Sequence, residues 1–252
     1  MLFGLRFDVN VVRDFLFDPL ILKAAWMTLR VAVIAQVMGI ALGVIFALMR
    51  MSKNPLLSGF AGFYTWFFRG TPVLLQLFMV QFGLPALLGS DPNITRQFTF
   101  FRVAVFALGI NEGAYMTEIV RAGILSVESG QLDAAKSIGM RNLQAMRRII
   151  LPQAMRVMIP PTGNEFIAML KNTSLASVIG LLELLRAARR VWSDNFAIME
   201  MLVVASFWYL LMTTVFSMLQ AEVERQLAAG ERDRPETLFS RTMAVIGGRR
   251  GI

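Results

Sequence analysis

Three carboxylates, Glu112, Glu118 and Glu165, lie inside stretches that are otherwise almost wholly apolar, and Asn111 and Asn164 directly precede two of them. Ionisable groups are costly in such surroundings and are retained for a pathway or for a partner of opposite charge. Pro160, Pro161 and Gly163 stand just ahead of Asn164 and Glu165, which predicts a helix broken there so that backbone groups face a solute. At such a break, a carboxylate can hold an α-ammonium or a basic side chain, and Asn164 offers both a donor and an acceptor. The other reading is that Glu165 pairs with a basic residue of another helix, for instance Arg69, and fixes packing. Asn111, Glu112 and Thr117 face the same choice, and they oppose Glu165 only where their two helices pack together. Arg69 and Thr71 flank Gly70 ahead of Pro72, where the arginine snorkels to an interface, holds a kink or binds a substrate carboxylate.

What the chain lacks narrows the chemistry further. It contains 0 His and 0 Cys, which removes Ser-His-Asp triads, Cys-His pairs, thiolate sites and most transition-metal sites. No G-x-x-x-x-G-K-[ST] segment exists to cradle nucleotide phosphates, so any energy from ATP must come through another polypeptide. The expectation is a non-catalytic chain that binds no cofactor or metal of its own. The net charge of +8 would suit nucleic acid, but basic cytoplasmic loops give an integral membrane protein the same balance.

Hydrophobic residues make up 56% of the chain and the mean hydropathy is +0.59, above the roughly 45–50% apolar share of soluble domains. The fold expected is therefore an all-α integral membrane protein. Residues 1–20 mix Arg6, Asp8, Arg13, Asp14 and Asp18 with Phe, Leu and Val; this is not a cleaved signal, and it suits a short helix at the membrane surface. Spans are expected at about 22–49, 58–88, 98–120, 154–170 and 196–219, together forming a membrane domain over 21–222, with a charged tail from 223 to 252 expected to be poorly ordered. The second stretch, from Leu56 to Leu88, measures roughly 50 Å as a helix against a hydrocarbon core of ~30 Å, so a kink is expected at Arg69-Gly70-Thr71-Pro72. Arg50 and Lys53 follow the first span, and Arg121, Lys136, Arg141, Arg147 and Arg148 follow the third. Both ends are therefore assigned to the cytoplasm, with the N-terminus outside and the C-terminus inside. Lys171, Arg186, Arg189 and Arg190 run against this bias, because they fall in a segment placed outside.

Between the third and fourth spans, a loop over 121–153 is polar and basic. Within it, Asp133-Ala134-Ala135, then Gly139, then Ile149, Leu151 and Pro152 follow the spacing of the EAA loop on which an ATPase docks. Phe68-Arg69-Gly70-Thr71-Pro72 through Leu77, then Glu118-Ile119-Val120-Arg121-Ala122-Gly123-Ile124, and Ile159-Pro160-Pro161 through Asn164, Phe166, Lys171 and Thr173-Ser174-Leu175 continue the likeness. With these four blocks in order, the chain resembles the permease subunits of bacterial polar amino acid ABC importers, the His/Gln/Glu/Arg-type permeases. One departure is Asp133, where the family has Glu.

The resemblance implies about five transmembrane helices of the type I importer permease fold with a cytoplasmic coupling helix, in a bacterial plasma (inner) membrane. Its partners would be an ABC ATPase dimer that uses ATP and Mg, a second permease copy or a paralogous permease, and an external solute-binding protein. The cargo would be a polar amino acid; related small solutes such as an opine or a sulfur compound are the alternative, and a membrane-embedded enzyme or scaffold is the more distant one. Asp133, Ala134, Ala135, Ser137, Gly139 and Met140 are the residues expected to couple to the ATPase. Asp133 is expected in the first turn of the short helix, where a carboxylate favours the dipole, and Gly139 is expected to end it. Asn164, Glu165, Glu112, Asn111, Arg69 and Thr71 are the candidates for the substrate pathway.

Overall fold

The computed structural model describes residues 7–89, 96 and 98–228, and every regular element among them is helical. A short helix α1 (Val9–Leu16) is capped by Asp8 and leads to α2 (Pro19–Arg50), where the Asp18 carboxylate accepts from Leu20 N–H and Pro19 occupies the first helical position. α1 does not simply rest on a membrane surface. Val12, Phe15 and Leu16 pack on the bundle, and Leu16 carbonyl accepts from the indole of Trp208 at 2.7 Å.

The kink expected at residues 69–72 is a bend of 105° between α3 (Pro55–Gly70) and the segment that begins with α4 (Val73–Phe78), passes through a π turn (Met79–Gly83) and ends in α5 (Leu84–Leu88). Thr71 is held extended by the proline that follows it (φ −113°, ψ 145°), so the helix stops and restarts. The chain returns in α6 (Phe100–Leu125), which runs parallel to α2. Between them lies a seam closed by glycines. Gly39 and Gly43 of α2 sit against Glu112 and Met116, while Gly109 and Gly113 of α6 sit against Met38 and Leu42. A Cβ on Gly43 would fall 2.2 Å from the Met116 Cβ, so only hydrogen fits. This is the small-xxx-small packing by which membrane helices approach closely.

The loop expected in the cytoplasm is α7 (Ser129–Ser137), α8 (Asn142–Ala145) and a second π turn (Met146–Ile150), which feeds α9 (Leu151–Asn172). Contrary to the expected break, α9 is continuous through Pro160 and Pro161. Two prolines remove two internal hydrogen bonds, those to the carbonyls of residues 156 and 157; around them Thr162 hydroxyl donates to Met158 carbonyl at 2.8 Å, and Gln220 donates to Pro160 carbonyl at 3.1 Å, which ties the stretch to a later helix. A 3₁₀ turn (Thr173–Ser177), α10 (Leu184–Asn195) and α11 (Ile198–Ala228) complete the described chain. α11 extends past the expected end of the fifth span and carries part of the charged segment expected as tail; the rest of that segment, residues 229–252, lies outside the described residues.

The core falls in two clusters. One joins α2, α6 and the end of α9 through Val31, Ala35, Leu108 and Leu170, and the other joins α2, α10 and α11 through Ile21, Leu184, Ala188 and Met201. α2, α6 and α11 are each long and apolar enough to cross a membrane, and the bent pair supplies a fourth such segment. α9, at 22 residues, has the length but carries Arg156, Glu165 and Lys171.

Candidate functional site

The bend generates the first part of the site, because stopping a helix inside an apolar bundle frees carbonyl groups that must be paired. Thr71 hydroxyl donates to Phe67 carbonyl at 2.9 Å, and the buried Gln76 amide donates to Phe68 carbonyl at 3.0 Å and to both oxygens of Thr71. Asn111 reaches across from α6 and donates to Phe68 carbonyl at 2.9 Å and to the Gln76 amide oxygen at 3.1 Å. Two of the residues singled out from sequence, Thr71 and Asn111, therefore meet at the bend with their donors engaged. Gln76, which no expectation named as a site residue, is the hub. A glutamine inside an apolar run was the available signal.

Beside the bend lies a group of charges. Arg69 places its guanidinium carbon 5.3 Å from the centre of the Tyr115 ring. Glu165 lies within electrostatic range of Arg69 and of Glu112. No direct ion pair joins Arg69 to either carboxylate among the described residues. Glu112 is buried with its Oε1 unpaired, and the Gln36 amide, also buried with an unpaired oxygen, lies next to it. Gly39 makes this arrangement possible, since a Cβ there would fall 2.4 Å from the Glu112 Cγ. α2, α3, α6 and α9 thus bring two carboxylates, an amide and a guanidinium together. Asn164 is turned away from this group. It is exposed, and its side-chain oxygen accepts from Gln220 of α11 at 3.2 Å. Thr117 is spent on Gly113 carbonyl at 2.7 Å, and Glu118 pairs with Arg121 at 2.8 Å.

The loop of α7 and α8 forms a second candidate site. α7 ends where expected: Gly139 has φ +81°, its N–H bonds Lys136 carbonyl at 2.9 Å and Met140 N–H bonds Ala135 carbonyl at 3.0 Å, the paired bonds of a Schellman motif. The start differs from expectation. α7 begins at Ser129, so Asp133 lies in its second turn, away from the dipole end; the acidic residue at the start is Glu128. Ser137 hydroxyl donates to Asp133 carbonyl at 3.0 Å. The two alanines also divide: Ala135 is buried against the loop's own following turn, and Ala134 is exposed. On the far side, Ile150 is the buried anchor, while Leu151 and Pro152 are exposed. The π turn at Met146–Ile150 shifts the helical phase, which a count along a regular helix does not register.

At the opposite end, Glu183 is fully buried between the 3₁₀ turn and α10. Its carboxylate accepts from Leu185 N–H at 2.9 Å, Arg186 N–H at 2.7 Å and Tyr209 hydroxyl at 2.8 Å, while Leu184 N–H donates to Thr28 hydroxyl at 3.1 Å. Burial holds this carboxyl above the usual carboxylate range; the two amides, the Tyr209 hydroxyl and the field of Arg189 oppose that rise. Among the described residues, no cluster of three or more acidic side chains is arranged to hold a metal ion.

Known proteins share this arrangement of helices. The pattern of a binding-protein-dependent transport system inner membrane component matches residues 39–228. The arginine transport system permease protein ArgU of Corynebacterium glutamicum is 42% identical over 251 residues, covering 96% of this chain and 78% of that protein. A crystal structure of an amino acid ABC transporter with histidines is 37% identical with a TM-score of 0.77, covering 87% of this chain and 99% of that one. The inward-facing MetNI methionine ABC transporter, at 14% identity and a TM-score of 0.65, shares the fold over 82% of this chain and 96% of its own.

Proposed function

The chain belongs to the binding-protein-dependent transport system inner membrane components, and from that membership we propose that it translocates a polar amino acid handed over by an external solute-binding protein. It is a non-catalytic permease subunit of an ABC importer, and the ATPase is a separate chain. The observation that carries the choice of cargo is the gathering of Arg69, Glu165 and Glu112 at the bend. A zwitterion needs an anion for its α-ammonium and a cation for its α-carboxylate, and both signs kept in an apolar bundle without a direct ion pair between them suit the passage of something charged. In this reading Glu165 receives the ammonium and Arg69 the carboxylate; Asn111 and Thr71 hold the bend that presents them, and Asn164 lines the exit beside Gln220.

α9 is the fourth span in chain order and brings the total to five, and the N-terminus is outside with the C-terminus in the cytoplasm of a bacterial inner membrane. The loop at α7 then faces an ABC ATPase dimer that binds ATP and Mg, with Asp133, Ala134, Ser137, Gly139 and Met140 presented to it and Ala135 supporting them from behind. A second permease, either a copy or a paralogue, completes the pathway. The test is reconstitution with the ATPase and binding protein in liposomes, followed by uptake of a panel of labelled amino acids. ATP-dependent uptake that is lost in Arg69→Met is expected, and uptake indifferent to Arg69 and Glu165 would refute the assignment.

A further inference from the structure

α10 carries a cationic face whose position runs against the charge distribution of the rest of the chain. Leu184, Ala187, Ala188 and Val191 bury one side of this helix against α2 and α11. The other side presents Arg189 and Arg190, both exposed, which with Arg186, Leu182, Ser193 and Asp194 line a concavity of about 490 Å³. In the topology proposed above, this face is outside. Arginine there works against the bias that sets orientation, so it persists where an external partner rewards it.

Two features favour a protein surface over lipid headgroups. Arg186 is tied back, donating to Ser177 carbonyl at 2.7 Å, which fixes one wall of the concavity. Asp194 adds an acceptor that would repel a phosphate but sets register against a surface of mixed charge. Neither Arg189 nor Arg190 forms an ion pair among the described residues; the field of Arg189 also reaches the buried Glu183 carboxyl, which leaves Arg190 the more open of the two charges.

We propose that this face of α10 docks an acidic surface patch of the solute-binding protein, with Arg189 and Arg190 as the steering charges. The inference rests on the transport function proposed above. The assembled importer in nanodiscs is titrated with its binding protein at several salt concentrations while ATP hydrolysis is followed. In Arg189→Glu/Arg190→Glu, the half-saturating concentration of binding protein is expected to rise by roughly tenfold at low salt, and by less at high salt, where screening already weakens the contact. Arg189→Lys/Arg190→Lys is expected to stay within about twofold of the parent, because exposed rim charges act mainly through their sign. An unchanged half-saturating concentration in the glutamate variant overturns the proposal, as does equal loss in the lysine variant, which would mark a packing role. An effect that vanishes in nanodiscs free of anionic lipid would assign the face to lipid instead. Failure of the binding protein to stimulate the parent complex at all would refute the transport function itself.

Discussion

The seam between α2 and α6 and the face shared by α9 and α11 are built on opposite plans. In α6, 61% of the apolar stretch is buried within the single chain, whereas in α11 the figure is 17%. The seam is closed by glycines that allow near contact of backbones; Thr117 and Asn111 have their donors engaged within the chain, while Glu112 and Gln36 each keep one buried oxygen unpaired. The other face carries amides and hydroxyls, Gln220, Asn164, Ser206 and Thr213, on helices that one chain leaves mostly uncovered. The seam is packed shut by the chain itself, while the face of α9 and α11 takes its meaning from what lies against it. Scaffold and working surface are thus divided between helices, and substitutions on the two sides should fail in different ways.

The largest effect is expected at the seam. Gly43→Leu forces a side chain into the Met116 backbone and should cost at least about 3 kcal/mol, read as loss of monodisperse protein and a lowered unfolding temperature in detergent. Gly59→Ala, with nothing within 4 Å of the added carbon, should leave stability unchanged or raise it by up to about 1 kcal/mol. Equal tolerance at both positions would show that close packing of backbones does not hold the seam together.

Next comes Gly139→Val. The position has φ +81°, so a β-branched residue there unwinds the end of α7 at a local cost of about 1–2 kcal/mol. Binding-protein-stimulated ATP hydrolysis should fall at least roughly tenfold, equivalent to about 1.4 kcal/mol, while the unfolding temperature stays near that of the parent. Full stimulation would detach the loop from coupling. Glu165→Gln should lower amino acid uptake severalfold with little change in stability, since Glu165 is half-exposed and in no direct ion pair; a large loss of stability would instead make it part of the scaffold.

The smallest effect concerns pH. Glu183 in the folded protein holds its proton more tightly than an unfolded glutamate does. Its contribution is therefore fully present at acidic pH and is lost as pH rises from the unfolded value through the folded one. Amide exchange at the start of α10, corrected for its intrinsic pH dependence, should show more protection at low pH. Glu183→Gln should flatten that trend. An unchanged trend in the glutamine variant would place the titrating group elsewhere.

How much of this was legible depends on whether the cause lies nearby in the chain. The bend at residues 69–72 was readable because Pro72 acts on its immediate neighbour, and the end of α7 was readable because Gly139 supplies its own conformation. The continuity of α9 was not readable, because proline argues locally for a break, and the contact that ties this stretch to the bundle, Gln220 on the Pro160 carbonyl, comes from 60 residues away. Asp133 was placed one turn too early because nothing before it resembles an N-terminal capping sequence, and Glu128 starts the helix without a side-chain cap. The gathering of Glu112, Glu165 and Arg69 depends on which helices pack together. The glycines at 39, 43, 109 and 113 did carry that information, as two small-xxx-small pairs at matched depth.

The π turn at Met146–Ile150 has a further consequence. A π turn holds one residue more than the regular helix would, and one residue corresponds to about 100° of rotation. The azimuth at which α7 projects from α9 is accordingly written in the number of residues between them, independent of which side chains they carry. Point substitutions within the π turn leave the direction of α7 unchanged; removing a single residue there swings it by more than a quarter turn. In this loop, chain length works as a dial.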